Sequence, residues 1–153
     1  MAGRKTSGGA AADRAAVTGC TALRFRKAAR RVSQIYDHHL VPYGLTITQF
    51  GLLAHIRRLD RVTIGTLAAE LVMDPTTLSR NLRPLEQRGL VRSEPSANDR
   101  RQRELRVTDD GYKTLKAARA GWKSAQDHLA EVLDDDYGPL SGAIDRMLLR
   151  LAD

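Results

Sequence analysis

The sequence predicts a mainly α-helical chain with one small β-hairpin past its middle. Three observations carry that expectation. Apolar residues recur every three or four positions over six separate stretches, the period of a helix with one buried face. Only between residues 90 and 107 does the period change to alternation, which is the mark of strands. Residues suited to helix ends punctuate the pattern, with Thr, Asp or Pro at starts and Pro or Gly at stops.

Residues 1–19 are mostly Gly, Ala, Ser and Thr with scattered charge and read as a flexible basic tail. A first helix is expected over about 20–41, with Phe25, Ala28, Val32, Ile35, Tyr36 and Leu40 as its stripe and Pro42 and Gly44 as its stop. A second runs over about 48–59, capped by Thr46 or Thr48, with Phe50, Leu53, Ile56 and Leu59 inward. Thr63 caps a short third helix containing Ile64, Leu67, Ala68 and Leu71. After a break at Val72-Met73, Asp74 caps the next helix and Pro75 takes its first position, where a missing N–H is harmless. That helix runs over about 75–88, turns Leu78, Leu82 and Leu85 inward and stops at Gly89. Pro84 inside it removes one backbone bond, to the Arg80 carbonyl, and predicts a bend.

Two short helices joined by a tight turn make a helix-turn-helix. Residues 90–94 and 103–107 read as strands joined by a turn over 95–101, with Leu105 and Val107 inward and Arg106 outward. An arginine-rich hairpin directly after a helix-turn-helix is a wing. Thr108-Asp109-Asp110 caps a long helix with the stripe Tyr112, Leu115, Ala118, Trp122, Ala125, Leu129 and Val132. Asp134-Asp135-Asp136 opposes the dipole at its end, and Pro139 starts a last helix with Leu140, Ile144, Met147, Leu148 and Leu151 apolar.

Composition narrows the function classes. With 42% hydrophobic and 28% charged residues the chain is globular. No apolar run approaches the ~18 residues of a membrane span, and no hydrophobic segment follows the basic N-terminus, so a cytoplasmic protein is expected. A single cysteine, Cys20, excludes a disulfide within the chain. His38, His39, His55 and His128 lack Cys or acidic neighbours at ligand spacing, so neither a metal nor a cofactor is expected. A Gly-rich phosphate loop, a nucleophile elbow and a coupled acid pair are all missing, which argues against an enzyme.

The net charge of +7 is uneven. Residues 1–31 hold 8 basic and 1 acidic side chains, and residues 80–106 hold 8 arginines against 4 acids. Residues 107–153 are net acidic, with 6 basic and 9 acidic side chains. A basic tail and an all-arginine segment suggest a polyanion partner, and the lack of aromatics in 80–106 argues against stacking on single strands.

The ordered motifs resemble the MarR (multiple antibiotic resistance regulator) family of winged-helix regulators. They are Leu45-Thr46 with Gln49-Phe50, Leu67-Ala68 with Leu71, and Asp74-Pro75-Thr76-Thr77-Leu78-Ser79-Arg80. Leu85-Glu86-Gln87-Arg88-Gly89-Leu90-Val91, Asp99-Arg100-Arg101 and Val107-Thr108 with Gly111 follow. The resemblance covers about residues 20–150. It implies a winged helix-turn-helix lobe over 46–110 and a helical dimerisation region from 20–45 and 111–153. It also implies a homodimer on a palindromic double-stranded DNA operator, acting as a repressor released by a small aromatic effector or by oxidation of a cysteine.

Helix geometry selects the candidate DNA contacts. At about 100° per residue the face opposite Leu78, Leu82 and Leu85 is Thr76, Arg80, Arg83 and Gln87, with Thr77 and Ser79 on the flanks. Arg80 suits a bidentate contact to a guanine edge. In the wing, the resemblance places Arg101 at the minor groove, where a narrow groove concentrates negative potential. Arg100 and Arg103 read as phosphate clamps and Asp99 as a residue that ties down the turn. Tyr36, His39, Phe50, Leu53 and Trp122 are candidates for an effector pocket or, alternatively, core. Cys20, at the start of the first helix with Arg24 one turn on, is either an inert or interface cysteine or a redox switch. The family's oxidant-sensing branch places its cysteine at the position of Ala22, although Tyr36 matches a tyrosine of that branch. A winged helix that binds a protein partner without DNA affinity is a further alternative, opposed by the retained arginines.

Overall fold

A computed structural model describes residues 19–96 and 102–152. Contacts divide the chain into two units, with the boundary between Ile35 and Tyr36, inside the first helix. That helix, α1, spans Thr21–Leu40. Its portion in the first unit buries nothing, and Leu23 and Phe25 are 43% and 41% exposed. Of the expected stripe, only Tyr36 and Leu40 are buried, and both belong to the second unit.

The second unit continues through a 3-10 turn, Val41–Tyr43, into α2, Ile47–Leu59. Thr46 rather than Thr48 is its cap. The Thr46 side chain accepts from the Gln49 N–H at 3.2 Å, and Gln49 Oε1 accepts from the Thr46 N–H at 3.1 Å, closing a reciprocal capping box. Next come β1, Val62–Thr63, α3, Ile64–Glu70, and α4, Pro75–Gln87. The hairpin strands are β2, Val91–Pro95, and β3, Arg103–Val107. The long helix α5 spans Asp109–Leu133, and after a 3-10 turn at Asp134–Asp136 the last helix α6 spans Tyr137–Arg150. Helix α6 therefore begins two residues before Pro139, which lies in a first turn whose N–H groups have no helical acceptor anyway.

The sheet is antiparallel in the order β1-β3-β2, with Val62 opposite Leu105 and Ser93 opposite Leu105 on the other side. Strand β1 was not expected. Two residues carry no period to read, and it exists because the chain entering α3 passes alongside β3. Leu105 is fully buried as the alternation predicts, whereas Arg106 and Val107 are both half-buried, Arg106 turning to Asp60 at 3.4 Å. The core of the winged lobe is a cluster of fully buried aliphatics: Leu52, Leu53, Ile56, Leu67, Leu78, Leu82, Leu85 and Leu105. Each would lose about 2–5 kcal/mol on truncation to alanine.

Two glycines let α5 pack against its neighbours. A Cβ on Gly111 would overlap the Leu90 carbonyl and meet Val107 Cγ1 at 2.9 Å. One on Gly121 would lie 2.5 Å from the His39 carbonyl oxygen and 2.6 Å from the Tyr43 ring. Only glycine permits these approaches.

Candidate nucleic-acid interface

Helix α4 is built to present one face. Asp74 accepts from the Thr77 N–H at 2.9 Å, Pro75 occupies the first helical position, and Leu78, Leu82 and Leu85 anchor the opposite side at 1% exposure or less. The helix continues through Pro84 to Gln87, which keeps Leu85 in register. Thr76, Thr77, Ser79, Arg80 and Arg83 are all exposed, as the wheel predicts. The Ser79 hydroxyl donates to the Pro75 carbonyl at 2.8 Å, which leaves it only acceptor capacity for a partner. Arg80 and Arg83 have no ion-pair or hydrogen-bond partner among the described residues.

The structure sorts the arginines of 80–106, which charge counting treats alike. Arg88 donates to the Gly44 carbonyl at 2.6 Å and so ties the end of α4 to the turn before α2. Arg92 pairs with Glu94 at 3.0 Å and Arg106 with Asp60. Arg103 is exposed but gives two donors to Ser93, one to Oγ at 2.8 Å and one to the carbonyl. A guanidinium has five N–H donors, so three remain for a phosphate. Asp99, Arg100 and Arg101 lie outside the described residues. Ser96, at the described edge of the turn, donates to Glu104 at 2.6 Å, and Arg61 pairs with Glu104 at 3.6 Å. The base of the wing is thus cross-linked, whereas Arg80 and Arg83 on α4 have no such partner among the described residues.

Of the five pocket candidates, Phe50 and Trp122 line one cavity together. Phe50 and Trp122 stack with centroids 6.1 Å apart and planes 10° apart, and with Arg119 and Lys123 they line a cavity of about 570 Å³. Leu53 is fully buried core and His39 packs on His128 with ring centroids 5.6 Å apart. Tyr36 is also buried, its hydroxyl bonded to Gln126 Oε1, which Tyr137 reaches at 3.3 Å. Burial, reinforced by the neighbouring Tyr137, pushes the Tyr36 phenol above its usual range. Sequence reasoning missed Arg119 and Lys123, although both sit within one turn of Trp122. Cys20 is exposed and free. Among the described residues no group of three or more His, Cys, Asp or Glu is placed to hold a metal, and no helix is long and apolar enough to cross a membrane.

Residues 43–102, which hold the helix-turn-helix and most of the wing, match the model of the MarR family. The Mycobacterium tuberculosis transcriptional regulator MosR, solved in complex with DNA, is 35% identical over 84% of this chain and 92% of its own, with a TM-score of 0.74. The chain belongs to the MarR family. Escherichia coli MarR, solved as a mutant complexed with operator DNA, shares the MarR fold at 22% identity and a TM-score of 0.75. The transcriptional regulator SarZ of Staphylococcus haemolyticus is 29% identical over 91 residues, 58% of this chain. A putative regulatory protein for the hcr operon of Thauera aromatica is 28% identical over 105 residues. The matched segments span 62% and 63% of the lengths of these two relatives.

Proposed function

We propose that this chain is a cytoplasmic, dimeric, sequence-specific DNA-binding regulator that represses transcription and releases its operator when a small aromatic ligand binds. The observation that carries the DNA reading is the outer face of α4. Thr76, Arg80 and Arg83 stand exposed, with neither arginine paired among the described residues, on a helix clamped by three buried leucines. A rigid helix with free guanidinium forks and hydroxyls near its N-terminus suits the major groove. Arg80 reads a guanine edge, while Arg83 and Arg103 hold phosphates, with Arg100 joining them and Arg101 entering the minor groove.

Unburied apolar surface supports the dimer reading. Leu148 and Leu149 are 54% and 77% exposed on a helix with no buried residue, and Leu151 just past its end is 72% exposed. The ligand reading rests on the Phe50–Trp122 cavity. Its aromatic planes supply a slot, and Arg119 and Lys123 at its rim favour a carboxylate-bearing ring over a neutral one.

The test is binding of a palindromic duplex from the intergenic DNA flanking the gene, measured against salt. Expected are half-sites about 10 bp apart and affinity that falls linearly with salt on a log–log plot. Equal affinity for a scrambled duplex would leave only non-specific binding. Because Trp122 is the only tryptophan, its fluorescence reports the cavity, and benzoate should quench it and release the duplex. Quenching without release would make the cavity a binding site unconnected to DNA.

A further inference from the structure

Three segments of this chain end in the same pair of backbone bonds, and one of them breaks the residue pattern of the other two. After the 3-10 turn Val41–Tyr43, the Gly44 N–H donates to the Val41 carbonyl at 2.9 Å and the Leu45 N–H to the Leu40 carbonyl at 3.4 Å. After α4, the Gly89 N–H donates to the Glu86 carbonyl and the Leu90 N–H to the Leu85 carbonyl, both at 2.9 Å. After α3, the Val72 N–H donates to the Ala69 carbonyl at 3.1 Å and the Met73 N–H to the Ala68 carbonyl at 2.8 Å. This closure requires a left-handed residue as its first donor, and Gly44, Gly89 and Val72 have φ of 65°, 68° and 50°. Glycine adopts that conformation without conflict because it has no Cβ. Valine brings a branched Cβ into a region that L-residues avoid. Among the described residues Val72 is the only β-branched one at positive φ.

Burial gives no reason for the choice. Val72 is 88% exposed, more than any other large hydrophobic side chain described. It strains the backbone and leaves an isopropyl group in water, so its use lies outside its own chain. Its position narrows the user. Val72 stands in the turn of the helix-turn-helix, two residues before the Asp74 cap of α4, whose exposed face begins at Thr76. The first residues of a recognition helix meet base edges, so the turn that feeds it rides at the mouth of the same groove. The major groove offers an isopropyl group one apolar feature, the C5 methyl of thymine. We propose that Val72 is a specificity-determining residue that packs on a thymine methyl in each half-site. The inference rests on the DNA reading above and adds an apolar contact to the polar ones of α4. A protein seated on the turn is the weaker occupant. Apart from Pro75, the exposed neighbours Glu70, Asp74, Thr76 and Thr77 are polar and give it no apolar strip to cover.

The experiment deletes methyl groups from both sides of the contact. The palindromic duplex of the test above is remade with deoxyuridine for thymidine, one symmetric pair per duplex, which removes the C5 methyl and keeps every hydrogen-bonding group. Each duplex is titrated with the unmodified chain, with Val72→Asn, which tolerates a left-handed backbone, and with Val72→Gly, which adopts it freely. On the all-thymine duplex both variants should bind about fivefold more weakly per half-site, from the apolar area lost. One deoxyuridine pair should weaken the unmodified chain by that factor and leave both variants unaffected, while the other pairs act on all three proteins alike. In urea, Val72→Gly should be more stable than the unmodified chain, its unfolding constant about two- to fivefold smaller. Weaker binding by a better-folded protein shows that the loss is not one of folding. An unmodified chain that binds a scrambled duplex equally well would remove the DNA reading itself. Specific binding by both variants at the unmodified affinity would overturn the contact while leaving that reading standing, and would pass Val72 to a protein partner. Weaker binding by the variants with no deoxyuridine pair that distinguishes them would overturn it too, and would make the turn only a support for α4.

Discussion

Helices α4 and α6 are nearly equal in length, 13 and 14 residues, and each carries an apolar stripe, yet the chain treats them in opposite ways. Helix α4 packs on α2, α3 and β2 and buries Leu78, Leu82 and Leu85 completely or nearly so. Helix α6 touches chiefly the end of α5 and the turn between them and buries no residue. A helix whose apolar side is satisfied within its own chain has only its polar side left to offer. A helix whose apolar side is unsatisfied offers that side instead. The same chain therefore leaves open two surfaces of different physics, a polar face with arginines unpaired among the described residues at α4 and an uncovered apolar face at α6.

Core truncation gives the largest expected effect. Leu82→Ala should cost about 2–5 kcal/mol in urea unfolding, because it opens a cavity among packed neighbours. Leu148→Ala, at 54% exposure, should cost the isolated chain less than about 0.5 kcal/mol and show instead as a more concentration-dependent melting temperature. Equal losses in dilute protein would place α6 in the core and erase the contrast. Next in size is the readout face. Arg80→Ala should lose about 1–3 kcal/mol of discrimination at one base pair per half-site. Arg101→Ala should instead lower the salt slope by about one charge per wing, and Arg92→Ala, whose partner is Glu94, should lower it less. A uniform loss across sequences from Arg80→Ala would make that residue a phosphate contact.

The smallest effect concerns pH. The Tyr36 phenol titrates higher in the folded chain than in the unfolded one. As pH rises past the unfolded phenol value, the unfolded state releases a proton that the folded state still holds, so stability falls with pH. Tyr36→Phe should flatten that decline above about pH 10, read as the pH dependence of the unfolding midpoint. An unchanged slope would assign the decline to other groups.

The exposed face of α4 was legible in the sequence because it is local. Asp74 and Pro75 fix where α4 starts, the leucine spacing fixes which side is buried, and the rest follows by rotation. The same holds for the cap of α5, where Thr108 accepts from the Gly111 N–H at 3.0 Å. What stayed hidden depends on distant neighbours. Arg88 is committed to a carbonyl 44 residues earlier in the chain, and Arg106 to Asp60, so counting arginines overstated the free charge. Which pocket candidates share a space, as Phe50 and Trp122 do, depends on distant neighbours too. Helical spacing says that Tyr36, Leu53 and Trp122 each face inward, but not whether they face the same space. The capping choice at α2 was readable, since Gln49 stands three residues after Thr46 and not after Thr48.

The glycine at position 111 has a mechanical consequence. Its missing side chain lets the first turn of α5 rest directly on the Leu90 backbone, and Thr108 adds bonds to the Leu90 carbonyl at 3.1 Å and the Gly89 carbonyl at 2.7 Å. Backbone and the stiff β-branched Val107 side chain line that joint. Trp122 stands eleven residues further along the same helix, about 16 Å at 1.5 Å per residue. The helix thus carries the Phe50–Trp122 cavity and the close-packed joint at Gly111 on one continuous run of backbone.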